Sequence, residues 1–176
     1  LAVAELIGMA LWFAASAVSA RYRARWGLTA AEAGWLTTAV QLGFVAGTGV
    51  SAVLGLADVV PARRLFAASA LAAAAANAAG LAADGLAGAL AARFLTGACL
   101  AGVYPPAMKM VATWFRARRG LAVGVIVGAL TVGKALPYLV HALPGAAIAH
   151  VTLTASAGAV VAAGLVAVGY RDGPYA

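Results

Sequence analysis

The sequence predicts an all-α membrane protein: one bundle of six transmembrane helices. Three observations lead there. Of 176 residues, 65% are hydrophobic and only 10% are charged, with a mean hydropathy of +0.98. The apolar residues fall into six runs, each near the roughly 20 residues a helix needs to cross a ~30 Å hydrocarbon core. Lys and Arg punctuate these runs rather than gathering on one soluble face. A soluble domain carries about 25% charged residues, so a cytosolic globular enzyme is excluded. Disorder requires low hydrophobicity and is excluded too. The net charge of +7 is that of loop charges in a membrane protein, and no nucleic-acid partner is expected. No strict two-residue alternation occurs, which argues against a transmembrane barrel.

The runs cover about residues 1–20, 35–57, 65–83, 86–115, 121–143 and 146–170. The first contains Glu5, and the second has no charge. In the fourth lie Arg93 and Lys109, together with Pro105 and Pro106, which remove backbone donors and kink the helix. The fifth holds Lys134 and Pro137; the sixth has no Lys, Arg, Asp or Glu. Residues 21–34 are expected as a loop with three arginines, residues 58–64 and 116–120 as arginine-rich connections, and residues 84–85 and 144–145 as tight turns. Small residues four apart, at Gly43 and Gly47 and again at Gly124 and Gly128, are the helix-packing candidates. Lone Cys99 permits no internal disulfide, and no metal or cofactor is expected. The chain starts at Leu1 within an apolar run that lacks a basic leader, so a truncated start is expected rather than a signal peptide.

Loop charge predicts orientation. Arg63, Arg64, Arg116, Arg118, Arg119 and Arg171 lie on one side, and Arg21, Arg23 and Arg25 on the other. The richer side is expected to be cytoplasmic, with both ends of this chain on it.

Charges inside a bilayer face a cavity or a partner. Arg93 sits roughly 10 Å into the fourth run at 1.5 Å per residue. On an ideal helix Gly97 and Tyr104 fall within about 40° of it. A fixed guanidinium beside small residues and a phenol suits an anion. Thr131, Lys134, Tyr138 and His141, spaced 3, 4 and 3 apart, form a polar stripe of the kind that lines a cavity, unless Lys134 instead reaches the outer surface. Lys109 is expected to snorkel to the interface. Glu5 is expected near the inner surface, with proton coupling or pairing with a buried cation as the alternative, and His150 is expected to pack.

The segment Leu54–Leu65 resembles the loop signature of the major facilitator superfamily, roughly G-x-L-A-D-R-x-G-R-R. Leu56, Ala57, Asp58 and Arg63 match, and Arg64 follows, while Leu54, Val59, Pro61 and Ala62 depart from it. Arg93 and Gly97, followed by Gly102 and Pro105, resemble the fourth-helix pattern, and Arg116 to Gly124 the entry to the fifth. Leu11–Ala17 and Trp35–Phe44 look most like the nitrate/nitrite- and cyanate-permease-like branch, although Lys134, not Asn, follows Gly133. The resemblance implies an N-terminal six-helix half built of two inverted three-helix repeats, with a C-terminal bundle missing. It implies a secondary active transporter in a bacterial cytoplasmic membrane, working by alternating access on a small solute. Arg93, Tyr104, Lys134 and Tyr138 would bind a substrate, anionic if Arg93 meets it. Asp58, Arg63 and Arg64 would close the inner gate. Alone, such a half would need a second copy or the missing half. A channel-like or structural subunit is the alternative, though no asparagine-proline-alanine pair is present. An intramembrane serine protease would need a glycine-flanked serine and a histidine on another helix. Ser156 has no G-x-S-x-G context and His150 shares its helix, so no enzyme is expected.

Overall fold

The computed structural model describes residues 1–175, and among them it is all helical. Six helices are long and apolar enough to cross a membrane: Ala2–Trp26, Ala30–Val53, Ala62–Ala82, Leu86–Ala112, Arg119–His141 and Ile148–Gly169. They are called the first to sixth spans below.

Several boundaries differ from expectation. The first span continues through Arg21, Arg23 and Arg25, which lie on helix rather than in a loop, and it breaks at Met9 and Val18. The turn that follows is only Gly27 to Thr29, with Gly27 left-handed at φ 65°. The second span starts five residues early because Thr29 and Glu32 form a capping box. Glu32 N–H donates to Thr29 Oγ1 at 3.2 Å, and Thr29 N–H donates to Glu32 Oε2 at 2.8 Å. That span ends at Val53; Gly55, left-handed at φ 59°, leads into a separate short helix, Leu56–Val59.

Prolines break the fourth and fifth spans. The fourth is helical over Leu86–Leu100 and again over Tyr104–Ala112, with Pro105 and Pro106 in the first turn of the second piece, where a missing N–H costs least. The fifth breaks at Lys134, three residues before Pro137. His150 starts the sixth span by accepting from Ala147 N–H at 2.9 Å through Nδ1.

Without a hydrophobic drive between helices in lipid, close backbone approach holds a bundle together. The second and fourth spans cross most closely. A Cβ at Gly43 would overlap the Phe94 carbonyl, one at Gly47 would overlap Ala98, and one at Gly97 would overlap Val40. Gly124 and Gly128, expected to pack likewise, have nothing within 4 Å of a would-be Cβ and face open space in this bundle. The first span is the most buried. It packs on the fifth, where Gly133 meets Leu6, and on the sixth, where Gly8 meets Ala162. Trp12 meets Phe44 edge-on at 5.0 Å and Ser16 Oγ lies 2.7 Å from Thr37 Oγ1, joining the first and second spans.

One end of the bundle carries both described termini, the 54–61 connection and residues 113–118. There Leu1 shares a cavity with Trp114, Phe115 and Arg171. Arg21 and Arg25 lie at the opposite end with Leu81 and Ala147 to Ala149.

Candidate functional site

Arg93 anchors a buried polar network on the first span, between its breaks at Met9 and Val18. Its Nη1 donates to Leu11 O and Asn77 Oδ1, both at 3.0 Å, and its Nη2 donates to Trp12 O at 2.6 Å. Asn77 Nδ2 donates in turn to Thr152 O at 3.1 Å and Ser156 Oγ at 3.0 Å. Four spans are thereby tied together: the first, third, fourth and sixth. The planar fork expected to face an anion is occupied by the protein, and only Arg93 Nε lacks a partner. Gly97 packs on the second span instead of sharing this face, and the break at residues 101–103 separates Tyr104 from the ideal helical count. Sequence reasoning missed Asn77 and Thr152, and weighed Ser156 only as a protease serine. The signal was a lone carboxamide inside the alanine run of the third span.

Glu5 is fully buried at 0% exposure, and neither carboxylate oxygen has a hydrogen-bond partner among the described residues. The first span packs here on the fifth and sixth. Tyr104, half-buried, begins the second piece of the fourth span. An orphaned acid in a membrane interior calls for a proton or a partner that arrives in another conformation.

Lys134 and Tyr138 stand exposed along the fifth span, as does Thr131, whose hydroxyl donates back to Val127 O at 3.0 Å. Lys134 makes no ion pair or hydrogen bond among the described residues. His141 is half-buried with an unpartnered Nδ1. Arg93, Tyr104, Lys134 and Tyr138 therefore do not converge on one point. Arg93 points into the helix core, Tyr104 lies beyond the break in the fourth span, and Lys134 with Tyr138 lines the open face of the fifth span.

Asp58 pairs with Lys109 rather than with Arg63 or Arg64. Lys109 Nζ lies 3.2 Å from Asp58 Oδ1 and donates to Ala57 O at 2.6 Å. Lys109 thus reaches the exposed end of the bundle and there ties the short Leu56–Val59 helix to the fourth span. A cavity of about 470 Å³ opens beside this pair, walled by residues 57–62, Lys109, Thr113, Arg119 and Tyr170. Arg63 and Arg64 line a separate cavity of about 320 Å³ with Arg171 and Asp172. Among the described residues no cluster of His, Cys, Asp or Glu could hold a metal ion.

Among curated proteins none matches the chain. The family described as the Major Facilitator Superfamily matches it over residues 1–175. That match spans all six helices and both the Asp58 connection and the Arg93 segment. The chain is an integral multi-pass membrane protein that belongs to the Major Facilitator Superfamily, a family of membrane transporters.

Proposed function

We propose that this bundle is one half of a secondary active transporter that moves a small anion together with protons by alternating access. Glu5 is the observation that supports coupling. An ionised carboxylate without partners is costly at membrane depth. The residue therefore keeps its proton while the first, fifth and sixth spans pack closed, and releases it when rocking brings water to it. Lys134 supplies the positive charge for the anion, because it lies well inside the fifth span, is exposed, and makes no ion pair or hydrogen bond among the described residues. Tyr138, one turn away, offers a hydroxyl on the same face. Arg93 braces the broken first span against the third, fourth and sixth. Substrate sits between this bundle and a second six-helix bundle, supplied by further chain or by a second copy.

The Asp58–Lys109 pair, flanked by Arg63 and Arg64, gates the arginine-rich end. The excess of positive charge there supports placing that end on the cytoplasmic side of a bacterial membrane. Leu11–Ala17 and Trp35–Phe44 support nitrate, nitrite or cyanate as the anion class. The test is uptake of labelled nitrate and cyanate by proteoliposomes holding the complete transporter. An imposed proton gradient should drive accumulation, and a protonophore should abolish it. Gradient-independent flux that only equilibrates would sink the reading and favour a channel.

A further inference from the structure

We infer that residues 170–175 form a strap that couples the chain leaving the sixth span to the Asp58–Lys109 pair, with Thr113 as its buckle.

Thr113 lies just past the end of the fourth span. Its hydroxyl donates to Met110 O at 2.8 Å and accepts from Gly173 N–H at 3.0 Å. Its carbonyl accepts from Tyr175 N–H at 3.0 Å. Tyr170 Oη lies 3.2 Å from Thr113 Oγ1 and donates to Met110 O at 3.0 Å. Burial pushes the Tyr170 phenol above its ordinary range, which keeps it a hydroxyl donor. The neighbouring Trp114 Nε1 donates to Arg171 O at 3.0 Å, and the Arg116 guanidinium sits over the Tyr175 ring at 5.7 Å.

These contacts are not the fraying of a helix end. They place a peptide segment crosswise over the foot of another helix. Gly173 marks the crossing in the sequence, since a Cβ there would overlap the Thr113 carbonyl. The consequence is mechanical. Tyr170, Asp172 and Tyr175 wall the same cavity as Asp58 and Lys109. Lys109 lies four residues before Thr113, one helical turn away. A pull on the chain beyond the sixth span therefore reaches the fourth span at Thr113 and, through it, the pair that ties down the Leu56–Val59 helix. Without the strap the same pull would reach the sixth span alone.

The test needs no substrate, so its failure is separate from failure of the transport reading. Trypsin cleavage after Arg171, and thiol labelling of Ala62→Cys in a Cys99→Ser background, are measured on the full chain in detergent. Thr113→Val removes the hydroxyl while keeping the shape, and Gly173→Ala blocks the crossing. Both should raise both rates about fivefold or more, the scale of one lost hydrogen bond or a local opening. Thr113→Ser should restore them, and cleavage after Arg25 at the opposite end should stay unchanged. Unchanged rates in both variants overturn the strap. Faster cleavage with unchanged labelling overturns the coupling. If the variants do not fold, hydrogen exchange of the wild-type chain decides. Gly173 and Tyr175 amides should exchange about tenfold or more slowly than free peptide, and unprotected exchange overturns the proposal.

Discussion

Replacing Asn77 by Leu should weaken the bundle by about 2–4 kcal/mol. The substitution keeps the volume and removes three hydrogen bonds. Two are neutral interhelical bonds, to Thr152 O and Ser156 Oγ, of the kind that average ~0.6 kcal/mol each within membranes. The third is the acceptor for Arg93 Nη1. Arg93 is 5% exposed and its Nε already lacks a partner, so a further unmet donor on a buried cation costs about 1–3 kcal/mol. The sum is about 2–4 kcal/mol. Reversible unfolding in mixed micelles, followed by circular dichroism against the mole fraction of denaturing detergent, measures it. Asn77→Asp is the informative partner. It keeps an acceptor for Arg93 and loses the donor to the sixth span, so it should cost less than Asn77→Leu. A loss below about 0.5 kcal/mol for Asn77→Leu would refute the brace, because the expected terms cannot cancel to that level.

Arg93→Lys should also destabilise in the same assay, since one ammonium cannot match the fork that serves Leu11, Trp12 and Asn77; stability equal to wild type would return Arg93 to the role of a free anion receptor. Gly43→Leu should disrupt folding through the Phe94 backbone, whereas Gly128→Ala should leave the stability of this bundle within about 0.5 kcal/mol, as surface changes usually do. Lys109→Gln should speed thiol labelling near Asp58 without lowering the yield of folded protein, and unchanged labelling would show that the pair does not hold the connection. With Cys99 removed, cysteines at Ala62 and Ala117 should resist an impermeant reagent in intact cells and one at Thr29 should react; the reverse pattern would overturn the orientation.

The six helices were legible because hydropathy and length dominate in a bilayer. Their breaks were legible where proline causes them, at residues 101–103 just ahead of Pro105 and near Pro137. The start of the second span was also written in the sequence, as Thr29 and Glu32 three residues apart, but its apolar run begins only at Trp35 and drew the boundary there. The break at Val18 and the helical Arg21–Arg25 carry no comparable local mark. Site geometry was less legible than fold. Glu5 and Arg93 stood out as charges inside apolar runs, yet which of them has partners depends on tertiary contacts more than 80 residues apart in sequence, as with Arg93 and Leu11. The same holds for Lys109, whose helical position suggested an interfacial lysine and whose partner lies on the short helix of the 54–61 connection. Gly124 and Gly128 carry the same spacing as Gly43 and Gly47, so spacing alone could not tell a packed glycine from an open one.

The central claim is that Glu5 carries the coupling proton, and Glu5→Gln in the complete transporter tests it most directly. Two assays on the same proteoliposomes separate the steps: exchange of labelled nitrate or cyanate at equal concentrations on both sides, and accumulation driven by a proton gradient. The account predicts that Glu5→Gln keeps exchange, because the amide fills the same buried space without needing a proton, and loses accumulation. Gradient-driven accumulation at wild-type level in Glu5→Gln would contradict it.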